Sequence, residues 1–132
     1  MNASNQRILM VDDDLDFVEA VACFLQANGF AVSKAHSGEE GVRLAKLEKP
    51  DLILLDVMMT ERTEGFFVIR EIRADPSIAR TPIFVLSSFC ERLPDFEIPA
   101  EGGWLGHDLF LPKPVNTARL LEKIRQRLGV AA

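Results

Sequence analysis

Several short apolar runs in this sequence end at a residue that can take part in chemistry. In chain order, these residues are Asp12 and Asp13, Asp56, Ser87 and Lys113. If the fold brings them together, they form a site suited to phosphoryl transfer. An aspartate would be the nucleophile, while a metal ion, the hydroxyl and the ammonium would stabilise charge on the phosphoryl oxygens.

Three carboxylates in one site repel one another, and a hard divalent cation removes that conflict. We therefore expect Mg²⁺ or Mn²⁺, which prefer oxygen ligands. For Asp12 or Asp13 alone, capping a helix would be the more common role, and we expect it for Asp14. Asp56 is different because apolar residues surround it, and a carboxylate there is costly unless it is paired or metal-bound.

The runs that precede these residues predict the strands that position them. Residues 8–11, 52–55 and 83–86 are continuously apolar, as in central strands of a parallel sheet, and 30–32 and 108–111 suit outer strands. Amphipathic helical patterns separate them. This alternation predicts an α/β domain: a flavodoxin-like (βα)5 three-layer sandwich with a parallel sheet of order 2-1-3-4-5. The carboxyl ends of its strands would carry the residues named above.

Helix boundaries are also readable. Asn28-Gly29 should stop the first helix, Ser37 with Glu40 forms a capping box for the second, and Asp75-Pro76 should end the third. Either Asn116 or Thr117 can cap the last helix. Cys23 lies in the apolar pattern of the first helix, so we expect a buried thiol.

We expect the fourth helix to be missing or remodelled, because prolines and glycines interrupt residues 88–106. We expect residues 1–6 to be a flexible tail and residues 7–130 to form one domain. A net charge of −5 without a basic block argues against nucleic-acid binding. The lack of a long apolar run or signal peptide argues against a membrane span and predicts a cytoplasmic protein.

At these positions the sequence resembles the CheY-like receiver domain of two-component response regulators, and we expect a stand-alone receiver. The segments that carry the resemblance are residues 8–14, 51–59, 81–87 and 113–114. Their order and spacing match the family over nearly the whole chain. The resemblance implies a phosphoprotein that receives its phosphoryl group from a sensor histidine kinase or a histidine phosphotransfer protein. It also implies a partner-binding surface that phosphorylation switches.

The resemblance assigns a role to each matching residue. Asp56 would accept the phosphoryl group, Ser87 would donate a hydrogen bond to it, and Lys113 would pair with it. Asp13, Asp56 and the backbone carbonyl of Met58 would bind Mg²⁺ directly, with Asp12 acting largely through water. Ser87 and Phe110 would form the switch. Thr60 departs from the proline common in the family, so the loop after Asp56 need not have the usual geometry.

Two alternatives remain from the residues. One is a receiver-like adaptor that is never phosphorylated. The other, weaker one is an aspartyl-phosphate hydrolase, which would need an acid where Met58 stands. We otherwise expect the protein to catalyse only its own phosphorylation and dephosphorylation and not to be an enzyme in any other sense. We also expect a downstream protein partner and a monomer or weak dimer. Because the bulky Met58 and Phe89 flank the path of an attacking water, we expect slow self-dephosphorylation.

Overall fold

The computed structural model describes residues 6–56, 64–87, 109–112 and 115–129. In chain order the elements are β1 Arg7–Val11, α1 Leu15–Ala27, β2 Ala31–Ala35, α2 Gly38–Glu48, β3 Leu52–Asp56, α3 Glu64–Ala74, β4 Ile83–Ser87, β5 Leu109–Pro112 and α4 Thr117–Leu128. All strands are parallel, in the order β2-β1-β3-β4-β5. The predicted fold class and strand order are confirmed. The predicted change in the helix between β4 and β5 lies outside the described residues.

Successive residues of the strands point to opposite faces of the sheet and enter two separate cores. Ile8, Met10, Leu52 and Leu54 pack with α1 and α4 on one face. Their neighbours Leu9, Val11, Ile53 and Leu55 pack with α2 and α3 on the other. The helices therefore cover both faces, as the three-layer prediction requires. This is also why the central strands are apolar throughout.

The helix termini follow local side-chain chemistry. Asp14 accepts a hydrogen bond from the Phe17 amide at 3.1 Å and caps α1. Asn116, rather than Thr117, caps α4 by accepting from the Arg119 amide at 3.0 Å. A left-handed Gly29 follows α1, with φ of 96°. α3 ends at Ala74, before Asp75-Pro76 as predicted.

The capping box of α2 is present in an altered form. Ser37 accepts from the Glu40 amide at 3.1 Å, but the Glu40 carboxylate accepts from the amide of His36 at 2.8 Å, one residue before the cap. The prediction for Cys23 is wrong, because this residue is exposed on α1. The buried face of α1 is formed by Val18, Val21, Ala22 and Leu25, and Cys23 points away from it. None of the helices that the structure describes is both long and apolar enough to cross a bilayer.

Candidate phosphoacceptor and metal site

Asp12 and Asp56 meet because their strands are hydrogen-bonded neighbours. β1 and β3 pair in parallel, with Val11 opposite Leu55, so the next residue on each strand is an aspartate. The carboxyl ends of parallel strands form the crevice in which this class of fold binds ligands. The sequence separation between the two aspartates is large, and only the sheet register brings them together.

Asp12 is held in place by one hydrogen bond of its backbone and one of its side chain. Its amide donates to the carbonyl of Ala35 at 3.0 Å, which continues the β1–β2 ladder by one residue. Its carboxylate oxygen Oδ1 accepts from the amide of Asp14 at 2.9 Å. This turn directs the chain from the strand into α1, so the geometry of the α1 N-terminus and that of the carboxylate are coupled.

Helix α2 approaches the end of β1 closely. A Cβ added to Gly41 would lie 2.8 Å from both γ carbons of Val11. Val11 is fully buried and directly precedes Asp12. The absence of a side chain at position 41 therefore determines how near the helix lies to the strand that carries the site.

The carboxylates of Asp12, Asp13 and Asp56 form a compact group. One oxygen from each lies within 4.8 Å of the others. Asp12 is 1% exposed and Asp56 is 5% exposed, whereas Asp13 is accessible to solvent. Burial makes the mutual repulsion strong, because the low-dielectric interior screens charge less than water does.

This donor set fits a hard divalent cation. All donors are carboxylate oxygens, the ligand type that Mg²⁺ and Mn²⁺ prefer, and Asp13 leaves a side open to water. Two buried carboxylates without a neighbouring cation would be costly. The residues present therefore suit an ion that balances their charge.

The remaining predicted site residues divide into two groups. Asp56 pairs with Leu86 on β4, and Ser87 is the next residue. Ser87 in turn pairs with Pro112 at the end of β5, and Phe110 lies within that strand. The strands thus bring Ser87 to the same edge as Asp56. Met58 and Lys113 lie outside the described residues, as do Thr60 and Phe89.

The family model of the response regulator receiver domain matches residues 8–125. The chain belongs to this family. As a receiver domain of the two-component response regulator type, it has the phosphoryl-accepting role of that family. The aspartates at the ends of β1 and β3 fall within the matched range.

Known relatives of this receiver domain include whole regulators and isolated domains. It is 33% identical over 122 residues to the DNA-binding dual master transcriptional regulator RpaA of Synechocystis, covering 92% of this chain and 48% of RpaA. The chain spans about half the length of the curated relatives it matches.

Solved structures that share the fold of this receiver domain include the following two. The receiver domain of the sensor histidine kinase PA1611 of Pseudomonas aeruginosa superimposes with a TM-score of 0.80 at 27% identity, covering 95% of this chain and 98% of that one. That structure holds a magnesium ion coordinated in its active-site cleft. Chemotaxis protein CheY4 of Vibrio cholerae superimposes with a TM-score of 0.78 at 29% identity, covering 94% and 98%.

Proposed function

We propose that Asp56 is the residue that accepts the phosphoryl group, within a domain spanning residues 7–130. The observation that carries this proposal is the position of its buried carboxylate, at the end of a central strand and beside two further aspartates. A carboxylate oxygen of Asp56 attacks the phosphorus of a phosphohistidine. The new O–P bond forms as the N–P bond breaks, and the leaving imidazole keeps the electron pair and takes up a proton.

Asp12, Asp13 and Asp56 would hold Mg²⁺ or Mn²⁺, together with the backbone carbonyl of Met58. When bound, the ion balances the carboxylate charge and stabilises negative charge on the phosphoryl oxygens. The chain's own groups would complete this work. Ser87 donates a hydrogen bond to one phosphoryl oxygen, and Lys113 pairs with another.

Phosphorylation of Asp56 would also switch the domain between two conformations. Ser87 and Phe110 lie on neighbouring strands, since β4 and β5 pair through Val85 and Phe110. A phosphoryl group on Asp56 adds oxygens that accept a hydrogen bond from the Ser87 hydroxyl, and the aromatic ring of Phe110 follows. The domain then favours the state that binds its downstream protein partner. We propose a sensor histidine kinase or a histidine phosphotransfer protein as the donor.

The test is phosphorylation with acetyl phosphate and Mg²⁺, read by intact-protein mass spectrometry. The expected result is a mass increase of one phosphoryl group that hydroxylamine removes, as it does from acyl phosphates. Asp56→Asn should abolish the increase, and the matched control Asp51→Asn should retain it, because Asp51 lies at the opposite end of β3 and accepts from the amide of Arg7. Phosphorylation of the Asp56→Asn variant at wild-type rate would overturn the assignment. No acyl phosphate in the wild type would favour the adaptor alternative.

A further inference from the structure

Charged side chains are distributed unequally between the two ends of the sheet. Where strands end and helices begin, the N-cap Asp14 and the first-turn residues Asp16, Glu39 and Glu40 add four acids to the three site carboxylates. Where helices end, the last turns of α2, α3 and α4 carry basic residues. The chain's net charge of −5 therefore understates the negative charge around the site.

Helix stability explains part of this pattern. Acidic residues in a first turn complement the helix dipole, which places roughly half a positive charge at each helix N-terminus. Asp14 caps α1, and Glu40 lies 4.0 Å from Arg43 and accepts from the amide of His36. These two carboxylates thus have local roles within the fold.

Asp16 and Glu39 differ from them. Both are exposed, and within the part of the chain that the structure describes neither side chain forms an ion pair or a hydrogen bond. Each adds a full negative charge, more than the partial charge of its own helix terminus offsets. The first turn of α4 contributes one cation to this edge, Arg119. Among the described residues at this edge of the sheet, acidic side chains therefore still outnumber basic ones.

We infer that Asp16 and Glu39 determine which phosphodonors react with Asp56, by disfavouring small, highly charged anions. A field of this sign lowers the local concentration of an anionic donor and raises that of a cationic surface. The site would thereby react faster with a protein donor that presents its phosphohistidine among basic side chains than with a small anionic donor. This inference rests on the proposed function of Asp56, and it concerns donor choice rather than the chemistry.

Two small phosphodonors of different charge distinguish an effect of the electric field at the site from a change in the reactivity of Asp56. At neutral pH acetyl phosphate is a dianion and releases acetate as its O–P bond breaks. Phosphoramidate is a monoanion overall and releases ammonia as its N–P bond breaks. In both reactions the same carboxylate oxygen of Asp56 forms the new O–P bond. The ratio of the two rates therefore reports the field at the site, because a change in the nucleophile affects both reactions.

The experiment compares the wild type with the double variant Asp16→Asn/Glu39→Gln at saturating Mg²⁺. At about 20 mM salt, where the screening length is roughly 20 Å, the ratio of the acetyl phosphate rate to the phosphoramidate rate should rise about two- to fourfold. At about 0.5 M salt the difference should nearly vanish. Each single variant should give about half of the logarithmic change. Thermal denaturation verifies that the variants are folded.

The control Glu71→Gln/Glu122→Gln removes the same charge from later turns of α3 and α4 and should leave the ratio near that of the wild type. An unchanged ratio in the Asp16/Glu39 variant, with both donors still modifying Asp56, would overturn this inference and leave the proposed function intact. Failure of both donors to modify the wild type would overturn the proposed function and, with it, this inference.

Discussion

Asp12 and Asp56 occupy equivalent positions on neighbouring parallel strands, each one residue beyond the paired Val11 and Leu55. Both carboxylates are almost completely buried, and Asp13 adds a third within 4.8 Å. The fold therefore concentrates like charge at one point of its interior. We therefore expect removal of one of these carboxylates to stabilise the metal-free domain, and we expect the intact group to bind a divalent cation.

The first prediction concerns repulsion in the metal-free domain. Asp56→Asn removes one of three mutually repelling charges while keeping the shape of the side chain. In EDTA, we expect the free energy of unfolding to rise by about 1–3 kcal/mol relative to the wild type, from charge pairs near 5 Å apart. Urea denaturation measures this. A variant less stable than the wild type in EDTA would mean that the carboxylates are already balanced by other groups.

The second prediction concerns the cation. Mg²⁺ at about one hundred times its dissociation constant should stabilise the wild type by about 2.7 kcal/mol, because it binds the folded state alone. Asp13→Asn should weaken Mg²⁺ affinity about tenfold or more, and at the same Mg²⁺ concentration it should remove about half of that gain or more. Isothermal titration calorimetry and thermal unfolding with and without Mg²⁺ provide independent readings. Asp51→Asn, at the other end of β3, serves as the control and should keep the full response.

The third prediction concerns Arg73, which braces the connection between α3 and β4. Its Nη1 donates to the carbonyl of Ala79 at 2.9 Å and to that of Thr81 at 2.7 Å. Arg73→Ala should reduce the free energy of unfolding by about 1–3 kcal/mol, because these partly buried carbonyls would lose a charged donor. Arg70→Ala, which removes an exposed arginine from the same helix, should change it by less than about 0.5 kcal/mol. Equal losses in the two variants would contradict this role.

The fourth prediction concerns Asp75. Hydrogen bonds from the amide and then the hydroxyl of Ser77 hold the pKa of the Asp75 carboxyl below its ordinary value of 3.8. Because the folded pKa is lower than the unfolded one, this group stabilises the fold above the unfolded pKa, and the contribution is lost as pH falls through the folded pKa. Carboxyl NMR titration should show Asp75 titrating below 3.8. Ser77→Ala should raise its pKa only part of the way, since the backbone donor remains.

The fifth prediction concerns the lifetime of the phosphorylated state. Met58 and Phe89 stand two residues beyond Asp56 and Ser87 in the sequence, and both lie outside the described residues. Neither has an acid or amide to orient an attacking water. Met58→Asn with Phe89→Ala should shorten the half-life of the acyl phosphate several-fold, followed by mass spectrometry after removal of the donor. An unchanged half-life would argue that these side chains do not limit access of water.

Much of the architecture could be predicted from local sequence. Continuous apolar runs indicated the central strands because those strands are covered on both faces, and Ser37, Asp14 and Asp75-Pro76 indicated helix boundaries through local hydrogen bonding and backbone restriction. The convergence of Asp12, Asp13 and Asp56 could also be predicted, because strand order determines which strand ends are neighbours. These predictions depend on interactions between nearby residues or on a topology with few alternatives.

Other features depend on distances that no local pattern contains. The contact of Arg73 with two carbonyls requires the particular path of the turn before β4, and the close approach of Gly41 to Val11 requires the position of a helix above the sheet. The exposure of Cys23 depends on how α1 is rotated about its axis. The grouping of Asp16 and Glu39 near the site likewise could not be predicted, since acidic and basic residues are mixed along the chain and are separated only in the folded domain.

The division of each central strand between two cores has a consequence for how this domain can vary. A one-residue insertion or deletion within β1 or β3 would exchange the faces of every following strand residue and shift an aspartate by about 3.3 Å along its strand. Such a change would disrupt packing above and below the sheet at once. We therefore expect length changes to be tolerated only in the connections, so that the packing of core residues outside the site preserves the spacing between the buried carboxylates.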